Sequence, residues 1–305
     1  MIYTLTTNPA IDLNVTTGTL STERVNRTRD AVYTPNGKGL NVSFTLDHYG
    51  VDSQILGFFG GFSGDYIVRE AERVCPVRPV TIDGITRVNV FVTTPEGEYK
   101  FPNAGASVCR EKQVEMLDLL REAPDLTCLV VSGSLPPGPD PSYYDELVDV
   151  VRGRGAEFVL DISHPHLADL VFKRPLLIKP NDEEVAAIFG VDVGDEGAIL
   201  AALSELHRRG AQNVLLTLGG EGAYFSDGFH VWRASAARVE VLSTACAGDA
   251  TLASFLSVWL SERDAVGRAL VRAMATGANV SMSAGLGDFS LVDELAQQIV
   301  VTRLV

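Results

Sequence analysis

A regular alternation of helical and strand-like segments between residues 111 and 217 is the feature that most constrains the fold of this 305-residue chain. Apolar runs predict strands over 128–132, 157–161, 176–179 and 213–217, and the intervals between them have helical periodicity. Continuous apolar strands are typical of parallel strands that are buried on both faces. Strands that alternate with helices form a sheet covered by helices on both sides. The sequence therefore predicts a three-layer α/β/α domain with a mostly parallel sheet.

Strand patterns in the first hundred residues do not fit this alternation. Residues 30–33 read as a short strand, and residues 86–92 alternate strictly between apolar and polar side chains before a turn. We expect two segments, about 10–33 and 86–103, to form a small β-sheet lid outside the main core. Because no linker or shift in composition separates them from the rest, 1–305 is predicted to be one domain.

The charge of the chain limits the classes of partner. Its formal net charge is −14, which argues against nucleic acid and anionic membrane surfaces. No apolar run approaches the ~20 residues of a membrane-spanning helix, and the N-terminus does not resemble a signal peptide. The four cysteines show neither metal-site nor disulfide spacing. These features predict a cytoplasmic protein with a small-molecule partner.

Polar and glycine residues gather where the predicted strands end. Because the carboxyl ends of strands in an open α/β sheet share one edge, ligands bind at that edge. For Asp12 alone, a turn acid and a ligand-binding acid are equally good interpretations, but the other positions point to the same edge. The polar and glycine residues at these predicted strand ends are Asp12, Ser132-Gly133-Ser134, Asp161, Lys179-Pro180-Asn181 and Thr217-Leu218-Gly219-Gly220.

Two glycine-containing loops precede helical patterns and predict anion sites. Residues 35–39 are predicted to be irregular and contain Lys38, and residues 245–248 lead into an apolar helical pattern. The free N–H groups at a helix start bind anions. Asp249 at the second loop could cap the helix or take a proton from a hydroxyl beside the anion. From this loop alone, a capping role for Asp249 is favoured. The polar residues at the predicted strand ends favour the role of a base instead.

The motifs resemble the PfkB, or ribokinase-like, sugar kinases, and most of all the branch of 1-phosphofructokinases and tagatose-6-phosphate kinases. The resemblance runs nearly end to end and implies a ribokinase-like fold. The residues that carry it are Thr7-Asn8-Pro9-Ala10-Ile11-Asp12, Asn26-Arg27, Asn36-Gly37-Lys38-Gly39-Leu40-Asn41-Val42, Gly60-Gly61-Phe62-Ser63-Gly64-Asp65, Thr86-Arg87-Val88-Asn89, Ser132-Gly133-Ser134-Leu135-Pro136-Pro137-Gly138, Lys179-Pro180-Asn181-Asp182-Glu183-Glu184 and Ala247-Gly248-Asp249.

The resemblance implies a role for each matching residue. Asp249 would be the catalytic base, and Ala247 and Gly248 would form the anion hole for the transferring phosphoryl group. The implied sugar-binding positions are Asp12, Gly37, Asn41 and Ser134, and the implied cations for the phosphate already on the sugar are Arg27, Lys38 and Arg87. The implied ATP-binding positions are Lys179, Asn181, Thr217, Gly219, Gly222 and Gly277. Asn181 and Glu184 would also place Mg²⁺, indirectly.

The implied activity is ATP- and Mg²⁺-dependent phosphorylation of a ketohexose phosphate, with fructose 1-phosphate converted to fructose 1,6-bisphosphate as the favoured case. Tagatose 6-phosphate, fructose 6-phosphate and an unphosphorylated sugar are alternative acceptors. A non-catalytic sugar-phosphate sensor on the same fold is a further alternative, but a sensor has no need to retain Asp249, Gly248, Asn181 and Glu184. The resemblance also implies a homodimer formed through the lid.

Four residues depart from the family's pattern. Cys246, Asn36 and His164 stand where the family usually has Gly, and Phe91 stands where this branch commonly has Lys. Because Cys does not adopt positive φ cheaply, we expect a slightly rebuilt anion hole. Asn tolerates left-handed angles, so the change at position 36 is expected to be mild. The missing cation at Phe91 bears on which sugar phosphate binds.

Overall fold

The computed structural model describes all 305 residues as fourteen strands and ten α-helices. The strands are β1 (Ile2–Thr6), β2 (Ala10–Thr16), β3 (Arg29–Asn36), β4 (Ser53–Phe59), β5 (Val77–Thr81), β6 (Arg87–Thr94), β7 (Gly97–Phe101), β8 (Cys128–Ser132), β9 (Glu157–Asp161), β10 (Leu177–Ile178), β11 (Val214–Thr217), β12 (Ala223–Ser226), β13 (Val231–Ala234) and β14 (Val301–Arg303). The helices are α1 (Lys38–His48), α2 (Gly61–Ala71), α3 (Arg110–Glu122), α4 (Tyr143–Gly153), α5 (Leu167–Leu170), α6 (Asp182–Glu184), α7 (Glu196–Arg209), α8 (Ala247–Trp259), α9 (Val266–Ser281) and α10 (Val292–Ala296).

Ten strands form one large sheet in the order β14-β13-β12-β11-β10-β9-β8-β1-β4-β5. The pairs from β5 to β11 are parallel, and the pairs from β11 to β14 are antiparallel. The predicted mostly parallel sheet is therefore confirmed. Its antiparallel edge was not predicted. It follows from a short connection through Gly219–Gly222, because adjacent antiparallel strands need no crossover helix.

Helices cover both faces of the large sheet, as predicted. Alternate residues of β8 belong to different buried clusters: Leu129 and Val131 pack in one, and Cys128 and Val130 in the other. The first cluster includes Leu147 of α4 together with side chains of α3 and α7, and the second includes side chains of α1, α8 and α9. The two clusters give the molecule its three layers.

A separate small sheet has the order β3-β2-β6-β7. Its strands β2 and β3 are antiparallel, β2 and β6 are parallel, and β6 and β7 form a hairpin. Strands β2, β6 and β7 lie in the two segments that the sequence assigned to a lid, and β3 extends past residue 33 to Asn36. Asp12 lies within β2, beyond the end of β1, and is opposite Asn89 in the ladder between β2 and β6.

The structure corrects the prediction that residues 35–39 are irregular. Strand β3 continues through Pro35 to Asn36, and α1 begins at Lys38. Pro35 is tolerated because β3 is an edge strand of the small sheet, where a missing N–H breaks no ladder. Residues 182–189 form one short α-helical turn followed by a π-helical turn, Val185–Phe189.

None of the helices is both long enough and apolar enough to cross a lipid bilayer.

Candidate active site

A cleft of about 920 Å³ opens at the carboxyl ends of the parallel strands. Twelve of the predicted site residues line it, namely Lys38, Asn41, Lys179, Asn181, Glu184, Thr217, Gly219, Gly222, Ala247, Gly248, Asp249 and Gly277. Five predicted site residues lie outside this lining: Asp12, Arg27, Gly37, Arg87 and Ser134. A smaller pocket of about 390 Å³ beside the start of α3 contains none of them.

Asp249 lies in the first turn of α8 and is only 5% exposed. Its Oδ2 accepts a hydrogen bond of 2.8 Å from Asn41 Nδ2. The N-cap of α8 is Cys246, which leaves Asp249 outside the cap position. Burial raises the pKa of Asp249 to about 6, with Asp161 adding to the rise and the ammonium group of Lys38 opposing it. A carboxylate with this pKa is ionised at neutral pH but holds a proton more readily than an ordinary aspartate.

The loop before α8 keeps a left-handed backbone without a glycine. Cys246 has φ 64° and ψ −13°, at a cost of about 1–2 kcal/mol for a residue with a Cβ. Cys246 thus adopts the backbone conformation that glycine favours. Burial raises the pKa of the Cys246 thiol, so the sulfur is neutral. At Gly248 a Cβ would lie 3.4 Å from Lys179 Nζ, which places that ammonium group directly beside the loop.

Asp161 joins two lysines at the floor of the cleft. It ends β9, is 1% exposed, and its Oδ1 lies 3.2 Å from Lys179 Nζ and 3.5 Å from Lys38 Nζ. Burial would raise the pKa of Asp161, but the two ammonium groups outweigh burial and hold that pKa below its ordinary value. Asp161 in turn raises the pKa of Lys38. Lys38 Nζ also donates to the hydroxyl of Ser163 at 3.4 Å.

Asp161 is the functional candidate that the sequence analysis left without a role. Its position at a strand end was visible in the sequence, but its link to Lys38 joins two elements far apart in the chain.

Asn181 and Glu184 form a capping box at the start of α6. Asn181 Oδ1 accepts from the backbone N–H of Glu184 at 2.7 Å, and Glu184 Oε2 accepts from the backbone N–H of Asn181 at 3.0 Å. Glu184 Oε1 accepts from the hydroxyl of Ser163. No group of three or more His, Cys, Asp or Glu side chains could hold a metal ion by itself. The residues fit Mg²⁺ that keeps most of its waters and is bound largely by phosphate oxygens, since Mg²⁺ needs only one or two carboxylates.

Two of the glycines that line the cleft are closely packed against neighbouring segments. Gly222 has φ 101°, and a Cβ there would lie 2.0 Å from the carbonyl oxygen of Ala234. A Cβ at Gly277 would lie 2.3 Å from Thr251 Oγ1. These contacts leave no room for a side chain. Glycine is therefore required at both positions by close packing.

Asp12 and Asn89 lie on adjacent strands of the small sheet, β2 and β6. Asp12 Oδ1 accepts from Asn89 Nδ2 at 2.8 Å, and Asp12 Oδ2 accepts from Asn36 Nδ2. Burial raises the pKa of Asp12, although these amide hydrogen bonds and Arg87 oppose the rise. Asp12 therefore reaches the cleft through Asn36, which lines it.

Arg87 lies beside this group of polar side chains rather than in the cleft itself. Its Nη2 donates to the carbonyl of Asn8 at 2.9 Å and its Nη1 to the carbonyl of Asn103 at 3.1 Å. Its Nε is buried without a partner. Burial lowers the pKa of Arg87, and Asp12 opposes that change.

The other three predicted substrate residues are placed differently. Arg27 is exposed, and its carbonyl accepts from Thr17 Oγ1. Gly37 precedes α1, where a Cβ would lie 2.4 Å from Thr6 Cγ2. The carbonyl of Ser134 accepts from Thr7 Oγ1 at 2.7 Å. The structure thus gives Gly37 a packing role. Arg27 is exposed, whereas Lys38 is partly buried and Lys179 is buried.

The sequence profile of the pfkB family of carbohydrate kinases matches residues 5–290. The chain belongs to the pfkB family. The ribokinase-like fold and the family membership expected from the motifs are thereby confirmed, and the enzyme is a phosphotransferase with an alcohol group as acceptor.

Named members of the pfkB family match the whole chain. A D-tagatose-1-phosphate kinase of Klebsiella oxytoca is 46% identical over 305 residues, covering 100% of both chains. A 1-phosphofructokinase of Bacillus subtilis is 29% identical over 307 residues, again covering 100% of both chains. The tetrameric inhibited form of phosphofructokinase-2 from Escherichia coli superposes with a TM-score of 0.89 and 25% identity, covering 97% of this chain and 98% of that chain.

Proposed function

We propose that this pfkB-family kinase transfers a phosphoryl group from ATP to the C6 hydroxyl of a ketohexose 1-phosphate, with D-tagatose 1-phosphate as the preferred acceptor. The observation that carries the proposal is the 46% identity, along the full length, to a D-tagatose-1-phosphate kinase. Fructose 1-phosphate, which the motifs alone favoured, is the C4 epimer of this acceptor and the second candidate. A 1-phosphofructokinase at 29% identity supports it less strongly.

Asp249 acts as the base in this proposal. ATP, when bound, supplies the phosphoryl group and the leaving ADP, and Mg²⁺ balances their charge. Asp249 takes the proton of the C6 hydroxyl as its oxygen bonds to phosphorus and the bond to the ADP oxygen breaks. The backbone N–H groups of Ala247 and Gly248 lie at the start of α8, where a helix favours an anion. Its pKa of about 6 keeps Asp249 ionised at neutral pH.

Lys38 and Lys179 are proposed to act on the phosphoryl group that is transferred. Both bind the same oxygen of Asp161, both line the cleft, and Lys179 lies beside Gly248. The motifs alone suggested that Lys38 holds the phosphate already on the sugar. Its position beside Asp161 and Asp249 favours the reacting centre instead. Fixed positive groups at the site where charge develops lower the barrier to phosphoryl transfer.

Arg87 and Arg27 remain the proposed cations for the phosphate on C1 of the sugar. Arg87 has a buried Nε without a partner, and it lies close to Asp12 on the small sheet. A guanidinium can bind a phosphate through two N–H groups at once. Asp12, Asn41 and Ser134 remain the proposed sugar-binding positions, and Thr217, Gly219, Gly222 and Gly277 the proposed nucleotide-binding positions. Asn181 and Glu184 would hold Mg²⁺ through water and phosphate, as their capping box allows.

A homodimer formed through the small sheet is part of this proposal. The sheet exposes Val32, Tyr33, Tyr99 and Phe101, which are large apolar or aromatic side chains. Exposed apolar side chains on the edge strands β3 and β7 are a candidate interaction surface. The neighbour of known structure is described as tetrameric. Because the reaction requires ATP, we place the enzyme in the cytoplasm.

ADP release across a panel of acceptors tests the proposal. The panel contains D-tagatose 1-phosphate, D-fructose 1-phosphate, D-tagatose 6-phosphate, D-fructose 6-phosphate and unphosphorylated D-tagatose, each with Mg²⁺ and ATP. We expect the highest kcat/KM for D-tagatose 1-phosphate, fructose 1-phosphate next, and little turnover of the 6-phosphates, whose C6 oxygen is blocked. Preference for a 6-phosphate or for the free sugar would contradict the proposal. Binding of sugar phosphate without any ADP release would favour the sensor.

A further inference from the structure

Asn36 is a residue for which neither the motifs nor the proposed function gives a role. The resemblance places a glycine at this position, and a need for left-handed backbone would explain both glycine and asparagine. Asn36 is not among the residues with positive φ, so the backbone does not explain its presence. It lines the cleft where β3 of the small sheet meets α1. The explanation must therefore lie in its side chain.

The amide of Asn36 is held in one orientation by three hydrogen bonds. Its Oδ1 accepts from the backbone N–H of Gly37 at 2.6 Å and from Asn41 Nδ2 at 2.9 Å. Its Nδ2 donates to Oδ2 of Asp12. A flipped amide would place Oδ1 against the Asp12 carboxylate and Nδ2 against two donors, so only one orientation is satisfied.

The orientation of Asn36 fixes that of Asn41. Asn41 is 3% exposed and carries two N–H donors on Nδ2. Nδ2 donates to Asp249 Oδ2 at 2.8 Å and to Asn36 Oδ1 at 2.9 Å, and Cys246 Sγ lies within hydrogen-bond distance of it at 3.3 Å. Without Asn36, only Asp249 Oδ2 and Cys246 Sγ would hold the Asn41 amide, and its hydrogen bond to Asp249 would be less firmly fixed. Asn36 therefore keeps a donor directed at Asp249.

The same chain of hydrogen bonds reaches across the small sheet. Asp12 Oδ1 accepts from Asn89 Nδ2, and Asn89 Oδ1 accepts from the backbone N–H of Asn103 at 3.0 Å. A continuous series of side-chain contacts thus connects the small sheet with the first turn of α8. A glycine at position 36 would interrupt it.

We infer that Asn36 is a positioning residue that links the small sheet to Asp249 by orienting the amide of Asn41. The inference rests on the proposed function, in which Asp249 is the base. In this chain, the side chains of Asn36 and Asn41 connect the carboxylate of Asp12 with that of Asp249 by hydrogen bonds. Sugar held by Asp12 would therefore act on the base through Asn36.

The pH dependence of kcat is the readout that distinguishes this role from simple packing. Asp249 is faced by Lys38 from α1, by Asp161 at the end of β9, by Lys179 after β10 and by the thiol of Cys246. None of these four groups changes in Asn36→Ala. The hydrogen bond from Asn41 lowers the pKa of Asp249, so its loss moves the acid limb of the kcat profile to higher pH.

The test compares the acid limbs of wild type, Asn36→Ala, Asn41→Ala and the double variant. We expect an upward shift of about half a pH unit for Asn36→Ala and of about one unit for Asn41→Ala. Because Asn36 acts through Asn41, the double variant should match Asn41→Ala, with no further shift. Asn14→Ala, on β2 of the same sheet, is the matched control and should superimpose on wild type. If Asn41→Ala does not fold, Asn41→Ser takes its place.

An acid limb of Asn36→Ala that superimposes on wild type would overturn the inference, and so would shifts that add in the double variant. Failure of the proposed base is a separate result. It would appear as normal turnover by Asp249→Asn, whatever the Asn36 variants do.

Discussion

Asp249 and Asp161 are both buried aspartates in the same cleft, yet their pKa values move in opposite directions. Burial raises that of Asp249 to about 6, since its only hydrogen-bond partner is the neutral Asn41 amide. Burial acts on Asp161 too, but two ammonium groups within 3.5 Å hold its pKa low. Two carboxylates whose environments separate their pKa values are suited to different tasks. Asp249 is suited to exchange a proton, and Asp161 to remain charged and hold the lysines.

The role of Asp161 can be tested with Asp161→Asn, which keeps its shape and removes its charge. The two ammonium groups would lose their anchor, and kcat should fall by roughly 10²-fold with a smaller change in KM for the sugar phosphate. Since Asp161 raises the pKa of Asp249, the acid limb of kcat should move to lower pH. Steady-state kinetics between about pH 5 and pH 9 would measure both the fall in kcat and the shift of the acid limb.

Asp227→Asn, a matched substitution beside His230 and far from the cleft, serves as the control for Asp161→Asn. Circular dichroism would verify that Asp161→Asn is folded, because breaking a buried ion pair is destabilising. A folded variant with unchanged kcat and an unchanged acid limb would show that Asp161 has no positioning role.

The left-handed backbone at Cys246 gives a stability prediction. Cys246→Gly should raise the free energy of unfolding by about 0.5–1 kcal/mol, because relief of the strained φ exceeds the entropy that glycine adds to the unfolded chain. Urea unfolding would measure the change. Asp30→Gly, at another left-handed residue with φ 56°, is the comparison and should show a gain of the same sign. A loss of stability in Cys246→Gly alone would indicate that the thiol contributes contacts that outweigh the strain.

At the scale of elements, the parts that local patterns determine were predicted well. Strands β8 and β9 have the predicted bounds, since each is a short apolar segment between clear turn residues. Strand β14 was missed because it is contributed by the last residues of the chain and pairs with β13, about 70 residues earlier in the sequence. Strand β3 was cut short because Pro35 reads as a breaker until its edge position is known.

The candidate site was predictable to the extent that family motifs carry it. The motifs predicted that Asp249, Gly248, Asn181 and Lys179 belong to the site, and all four line the cleft in the structure. They could not give the pairing of Lys38 with Asp161, nor the chain from Asp12 through Asn36 to Asn41. These contacts depend on how separate elements pack, and a one-dimensional pattern does not contain that packing.

The small sheet, as an element, should contribute to binding of the sugar phosphate and not of ATP. Arg87→Ala removes the guanidinium on β6 and should raise KM for the sugar phosphate by about 10- to 100-fold, the effect of one charge-assisted hydrogen bond, while KM for ATP stays near wild type. Kinetics with each substrate varied in turn would measure the two constants. Arg29→Ala, an exposed arginine on β3, is the matched control. Equal increases in both KM values would show that Arg87 supports the fold of the cleft rather than the sugar phosphate.

At the scale of the whole molecule, the exposed apolar side chains of the small sheet predict self-association. Light scattering after size exclusion should give a dimer for wild type and a monomer for Phe101→Glu, because a charge would be buried in the interface. Phe229→Glu is the matched control: Phe229 is 84% exposed, in the turn between β12 and β13, and its substitution should leave the dimer intact. A dimer in Phe101→Glu, or a monomeric wild type, would place any association elsewhere.

The central claim is that Asp249 removes the proton from the acceptor hydroxyl, and kcat of Asp249→Asn tests it most directly. Asparagine keeps the shape and the contact distance to Asn41 but cannot accept the proton. We predict that the variant folds and binds ATP as wild type does, while kcat with D-tagatose 1-phosphate falls by roughly 10²-fold or more. Its remaining activity should also lack the acid limb that wild type shows near pH 6, since that limb belongs to Asp249. A kcat near the wild-type value in the folded variant would contradict the account.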